Sequence, residues 1–508
     1  MAYEIYCLTE LLKDEGLALY YMNSLPTDKA EPAEGLKATT VWSRGLSDVK
    51  YLLSERQLNR FRKSQTAEEE TDLRAARGAF FMQSDFALES NSFQSWLTAA
   101  DINQDAAAVV KLRLWLQHGD NPTEQVNENV LYGTQRLLQY TAAADGLQKS
   151  RDETGTARHF SNVMFNIMRG GIIYTPKGIP VKSFSDYVKN NNRSLYKKYS
   201  KQLSDLPDYV SLNDLQDFAE QIKNPDLIRA AGTYLPLIFS RRHGDPSRPW
   251  NYFSVNLKGK DGSLKYYFEG NWRDVFQNWE ALAYSFPAYV NNMVSQFLNA
   301  STIDGYNPYR ISSNGIDWEV LEPDNPWSNI GYWGDHQIVY LHKLLDLSLN
   351  FYPQALNQLL TQEVFVYADV PYRIKSYREI CHNPFDTIVF DYERDKKIRK
   401  QEKKIGQDAK LLLDESGDIL RVNMTEKLLL TSLVKLSNFV PDAGIWLNTQ
   451  RPEWNDANNA LTGKAASMVT VYQMRPYLQL LRDLIKSSQM NSFKLSTPLK
   501  HLLYEIYR

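Results

Sequence analysis

Three short stretches of the chain combine indole rings with carboxylates and amides. WRDVFQ carries Trp272, Arg273, Asp274 and Gln277; GYWGDHQ carries Trp333, Asp335 and His336; RPEWNDANN carries Glu453, Trp454, Asn455 and Asp456. Such a mixture suits a sugar site: flat apolar rings accept the C–H faces of a pyranose, and the polar groups hydrogen-bond its hydroxyls. Of the 11 tryptophans, eight fall between residues 250 and 454, many in Gly/Pro/Asn/Asp-rich segments rather than periodic ones. Any one of these rings is expected in the core; the cluster is expected to line a site.

Breaking a glycosidic bond needs a proton donor, and a carboxyl group serves when an apolar neighbour or a second carboxylate raises its pKa. Asp456 has both within three residues, Trp454 and Glu453. Its alternative role is to cap the helix expected over 457–461. An inverting hydrolase also needs a base about 6.5–9.5 Å from the acid to activate water. The candidates are Asp335, Asp317, Glu319 and Glu322, with Asp335 preferred. A phosphorylase needs an anion site instead. The loop SRRHGDPSRPWN offers Arg241, Arg242 and His243 for that purpose, or else braces a neighbour through Arg–Asp forks. Metal chemistry fits poorly, since His336 and His342 do not share a helix face and no HExxH or cysteine cluster occurs. Neither a Gly-rich phosphate loop nor a Gly-x-Ser-x-Gly elbow is present.

These groups must be positioned by helix ends and loops. Trp272, Phe276, Trp279 and Leu282 recur at helical spacing after Gly270, with Asn271 as N-cap, so that face is expected to be buried. Arg273, Asp274 and Gln277 then stand near the exposed mouth. A second helix is expected from Pro287 to Leu298. The stretch 301–337 follows as a long aromatic-rich loop, and helical spacing resumes at Ile338, Leu341, Leu345 and Leu349, which puts Asp335, His336 and Gln337 at another helix start. Residues 363–424 read as an insertion with a strand near Phe365–Val370, a hairpin over Leu411–Val422 and a solvated basic helix or arm at 393–404. Helices are expected again over Leu428–Phe439, 465–487 and Met490–Tyr507.

Upstream, Tyr3–Met22, Val49–Phe61, Ala107–Leu116 and Val130–Tyr140 keep helical spacing, so residues 1–150 read as an N-terminal helical region. Phe160, Val163, Met164, Ile167 and Met168 predict a helix stopped by Gly170-Gly171, and two more are expected within 212–240. The predicted class is all-α. Helix pairs joined at one end by long polar loops match an (α/α) toroid over 151–508, with small β-hairpin insertions.

Bulk properties limit the partners. With 508 residues and 43% apolar content the chain can bury a large core, and a net charge of −2 argues against nucleic acid. Two cysteines suit a reducing compartment, no long apolar run suggests a membrane span, and the acidic N-terminus does not look like a signal peptide, so a cytoplasmic location is expected.

WRDxxQ (Trp272, Arg273, Asp274, Gln277) and EWNDxxN (Glu453 to Asp456, then Asn459) resemble motifs of the six-hairpin glycosidase superfamily, most closely the inverting disaccharide phosphorylases related to cellobiose phosphorylase. The resemblance covers about residues 155–490. It implies an oligosaccharide substrate cleaved with inversion, no cofactor, and inorganic phosphate as co-substrate in the phosphorylase case. It also implies Asp456 as general acid and Arg273 in the sugar subsite. Asn278 stands where that family often has a sugar-binding Asp. In these relatives the base or phosphate site lies well downstream of the acid, so the toroid is expected to be incomplete, closed by the N-terminal helices, or continued in a longer polypeptide. The alternative is a non-catalytic helical module that binds glycan or a protein partner.

Overall fold

The computed structural model describes residues 4–25, 33–238, 259, 263–320, 332–333, 337–449 and 463–508. They form two compact units, Met1–Leu137 and Leu138–Arg508.

The first unit is built on a sheet, which corrects the expected N-terminal helical region. Strands β1 (Cys7–Leu12), β2 (Leu17–Met22), β3 (Ala38–Arg44), β4 (Asp72–Arg74) and β5 (Leu97–Gln104) form an antiparallel sheet in the order β4-β1-β2-β3-β5. The run CLTELL–KDEG–LALYYM folds as a hairpin with Leu12 opposite Leu17, turning through Gly16 at φ 57°. The misreading has a physical cause. Both faces of this sheet are covered, one by Tyr51 and Leu53, the other by Leu116 of helix α2. A strand buried on two sides is apolar at consecutive positions, and over so short a run that pattern is indistinguishable from a helix. Within Val49–Phe61 only α1 (Glu55–Arg62) is helical, whereas α2 (Ala106–His118) and α3 (Pro122–Ala143) form over the two later expected stretches. The buried Glu15 carboxylate fastens α2 to the hairpin turn, accepting from Arg113 Nε at 2.7 Å and from Gln117.

The second unit is mainly helical but carries several small antiparallel sheets. With 50% helix and 18% strand in the chain, the fold is mixed helix and sheet, and the all-α (α/α) toroid is not what forms. Helix α4 (Glu153–Gly170) precedes four helices, α5 (Val181–Asn191), α6 (Arg193–Ser204), α7 (Leu212–Ile222) and α8 (Pro225–Thr233). Three of these four start where the sequence provides for it: Asn192 caps α6, Ser211 and Asp214 form a capping box on α7, and Asn224 followed by Pro225 opens α8. Next come α9 (Trp272–Ser285), α10 (Val290–Asn299) and α11 (Gln337–Phe351), then the short α12 (Tyr377–His382) and the basic α13 (Tyr392–Ile405). The chain closes with α14 (Met424–Leu436), α15 (Met468–Ser487) and α16 (Thr497–Tyr507). Helix α11 packs on α9, α10 and α15. Among the described residues, no helix is long and apolar enough to cross a membrane.

Rings knit the centre of this unit. Trp272 lies 5.1 Å from Phe276, 4.9 Å from Phe297 and 5.9 Å from Tyr340, centroid to centroid, joining α9, α10 and α11. At the edge of the core, Arg229 of α8 is held by Asp408 at 2.7 Å and Asp226 at 3.5 Å, while Arg421 meets Asp226 at 2.7 Å. Burial pushes the Asp226 carboxyl up, yet the Arg229 and Arg421 guanidiniums outweigh it and hold the group below the usual carboxylate range. A carboxyl depressed in the folded state contributes stability above its unfolded pKa of about 3.9 and loses it as pH falls through the folded value. Asp226→Asn should therefore cost about 1–3 kcal/mol at pH 7 and less at pH 3. Urea denaturation at the two pH values measures this; an equal loss at both would contradict the ion-pair role.

Candidate functional site

One short run of backbone, residues 306–312, meets the start of α9, the strand before α11 and, at Asn448, the described chain that precedes the third motif. Its course is set by the turn after α10: Thr302 N–H donates to Tyr306 O at 2.8 Å, and Gly305, at φ 74°, supplies the left-handed turn residue. An added Cβ at Gly305 would meet Val434 Cγ2 at 2.9 Å, so the turn lies directly against α14.

From that turn the chain makes two strands. Strand β7 (Asn307–Pro308) pairs with β10 (Tyr332–Trp333), with Asn307 opposite Trp333. Strand β8 (Arg310–Ser312) pairs with β6 (Glu269–Asn271), with Arg310 opposite Asn271, and folds back on β9 (Gly315–Asp317). Between them the Tyr309 carbonyl accepts from Trp272 N–H at 2.8 Å, so the first residue of α9 is bonded to the same run. At its other end Tyr306 Oη donates to Asn448 Oδ1 at 2.9 Å. The mouth of α9, the segment entering α11 and the residues leading toward Glu453–Asp456 are thus tied to one stretch of chain.

A buried polar chain backs this arrangement. Lys435 Nζ of α14 donates to Gln337 Oε1 at 3.1 Å, and Gln337 Nε2 donates to Asn307 Oδ1. Gln337 and Asn307 are both 0% exposed and Lys435 only 1%, so these groups have little access to water and depend on one another. Asn438 Nδ2 adds a bond to Tyr306 Oη at 3.4 Å. Sequence reasoning passed over Lys435, Asn307, Tyr306, Asn438 and Asn448. The available signal was a lysine in the apolar run LLLTSLVKL, where a cation needs a partner.

The expected site residues divide sharply. Trp272 is fully enclosed, so its ring seats α9 in the core and offers no face to a sugar. Asp274 is buried in the first turn of α9, and Gln277 is exposed one turn later. Arg273 is the second residue of α9, and Trp333 ends β10. Asn278 donates to the Asp274 carbonyl at 2.6 Å within its own helix. Asp335, His336, Glu453, Trp454, Asn455, Asp456, Arg241, Arg242 and His243 lie outside the described residues. Of the other candidate bases, Glu322 also lies outside them. Asp317 sits among three cations, Arg399 and Lys410 at 3.7 Å and Arg310 at 3.8 Å. Arg310 also faces Glu269 at 3.8 Å. Asp317 is therefore a brace between β9, α13 and β8. In α13, expected as a solvated helix or arm, Asp395 accepts from Trp318 Nε1 at 2.6 Å and Arg399 lies over the Trp318 ring, so one face of the basic helix is packed.

Comparison with known families finds that residues 179–236 match glycoside hydrolase family 149 insertion domain 1. The matched segment contains α5 through α8, and the match supports a relationship to a glycoside hydrolase family. Comparison with curated proteins finds no match.

Tyr306→Phe tests the tie to the Asn448 segment. It should cost about 1 kcal/mol and speed amide exchange over 444–449 without affecting α9. Unchanged exchange at 444–449 would show that the hydroxyl does not hold that segment.

Proposed function

We propose that the chain acts in cleaving a glycosidic bond of an oligosaccharide with inversion at the anomeric carbon, using inorganic phosphate as the attacking group. The observation that carries this reading is the attachment of the mouth of α9, of Tyr332–Trp333 and of Asn448 to the single run 306–312. The match at 179–236 supports the substrate class, and family 149, being one of β-1,3-glucan phosphorylases, favours phosphorolysis and a β-1,3-linked glucan.

In this proposal Asp456 is the general acid. Its carboxyl proton passes to the glycosidic oxygen as a phosphate oxygen attacks the anomeric carbon from the opposite face. The C–O bond breaks with its electron pair on the leaving oxygen, a sugar 1-phosphate of inverted configuration forms, and solvent reprotonates Asp456. Arg273, Asp274 and Gln277 hold the sugar, Glu453, Trp454 and Asn455 set the environment of the acid, and Trp333 and His336 shape the opposing wall. Arg241, Arg242 and His243 hold the phosphate. With water as the acceptor, Asp335 would take the role of base.

The test is incubation with β-1,3-linked glucose oligosaccharides with and without inorganic phosphate, reading sugar 1-phosphate and its anomeric configuration by NMR. Asp456→Asn should lower the rate about 10²–10⁴-fold without shifting the melting temperature. An Asp456→Asn variant as active as the parent would remove the acid assignment. Cleavage that ignores phosphate would make the reaction a hydrolysis, and binding without cleavage would leave a glycan-binding module.

A further inference from the structure

Helix α10 is buried along most of its length, yet Asn291, Ser295 and Asn299 recur on it at i, i+4 and i+8. This polar stripe lines a cavity of about 260 Å³. Gln216 of α7 contributes to one side, and Gln358 and Gln362, from the turns after α11, to another. The whole cavity lies within the second unit.

The hydrogen bonds already made by these side chains leave a defined set of groups over. Asn291 Oδ1 accepts from Ser348 Oγ at 2.6 Å, and Asn299 Oδ1 accepts from Val366 N–H at 3.0 Å. Gln216 Nε2 donates to Asn292 Oδ1 at 3.4 Å, and Gln362 Nε2 to Glu220 Oε1 at 3.1 Å. Each amide is therefore fixed at one end. The remaining ends, two NH₂ donors from the asparagines and two carbonyl acceptors from the glutamines, have no partner among the described residues. The Gln358 amide likewise has none. Ser295 is only 7% exposed, and its hydroxyl makes no bond among these residues, not even the common one to a carbonyl one turn back.

Oriented donors and acceptors without an unpaired cation suit a neutral ligand rich in hydroxyls, each of which both donates and accepts. Charge at the cavity points the same way. Arg229 is committed to Asp226 and Asp408, while Asp217 and Glu220 make the lining unfavourable for an anion. Ile228, Leu359 and Phe365 add apolar surface for ring C–H groups. The volume lies just below the ~300–1,000 Å³ typical of ligand pockets, which suits a single ring. We propose that this cleft, lined by α7, α8, α10 and the 355–365 segment, binds one neutral pyranose unit.

The unit could arrive as a free monosaccharide or as the end of an oligosaccharide. Binding to the full chain is measured by ligand-observed NMR titration with glucose and with a β-1,3-linked glucose trisaccharide. Ser295→Leu, which fills the cavity, should weaken glucose binding at least tenfold, and Gln362→Ala, on the more open wall, several-fold. Melting temperature checks that each variant is folded. Asp456→Asn should leave this binding unchanged. Trisaccharide binding with the same sensitivity to Ser295→Leu identifies a chain end as the occupant, and glucose binding alone identifies the free sugar. Absence of glucose binding, indifference to both cleft variants, or loss of binding in Asp456→Asn would overturn the proposal. No turnover is read, so the outcome stands apart from that of the cleavage test.

Discussion

The second unit depends on how little freedom residues 301–312 have. A strand run this short gains little from its own ladder, since β7 and β10 share only two residue pairs and β6 and β8 only three. Its stability has to come from what lies behind it. Tyr306 is 4% exposed, Tyr309 2% and Ile311 1%, so the run is pinned by side chains in the core rather than by sheet extent. The start of α9, Tyr332–Trp333 and Asn448, far apart in sequence, then share one reference frame, because each is bonded to a segment that is itself held by packing.

That frame explains why the aromatic content is high while the enclosed aromatics do not belong to the ligand. Trp272 and Phe297 hold the base of α9 against α10, and Trp318 fixes α13 through Asp395 and Arg399. A ring locked by neighbours at about 5 Å gives up its faces to them. Trp272 is enclosed in this way, and Asp274, expected at the exposed helix mouth, is buried beside it, while Gln277 one turn later is exposed.

How much was legible in the sequence follows from the same physics. Helices α9, α10, α11 and α15 were readable because each has one apolar stripe and a recognisable start, so a period of 3.6 residues survives in the residue types. The β1–β2 hairpin was not, because burial on both faces removes the alternation that marks a strand. The short strands from β6 to β10 escaped for another reason: two or three residues carry no period at all, and their pairing is decided by partners up to about forty residues away. The polar chain through Gln337 escaped because it exists only in three dimensions, being assembled from α14, the first residue of α11 and β7.

Helix α14 shows why such a chain can be tolerated. Ten of its thirteen residues are buried, including Lys427 at 0% exposure and Lys435 at 1%. An isolated ammonium at either position would be prohibitively costly. Lys427 instead donates to the carbonyls of Val366 at 2.7 Å and Ser301 at 3.2 Å and lies 3.7 Å from the Tyr367 ring centroid, while burial pushes its pKa well below the usual lysine range. Lys435, two turns along, reaches Gln337 and through it Asn307. The two lysines therefore hold residues 301 and 307, the two sides of the Thr302–Tyr306 turn, from one helix. A hydrophobic replacement at Lys435 would take the donor from Gln337 Oε1 in the core, and one at Lys427 would remove a donor from the Val366 and Ser301 carbonyls. The cost of dehydrating the two lysines is offset by bonds that fix the entry to the 306–312 run.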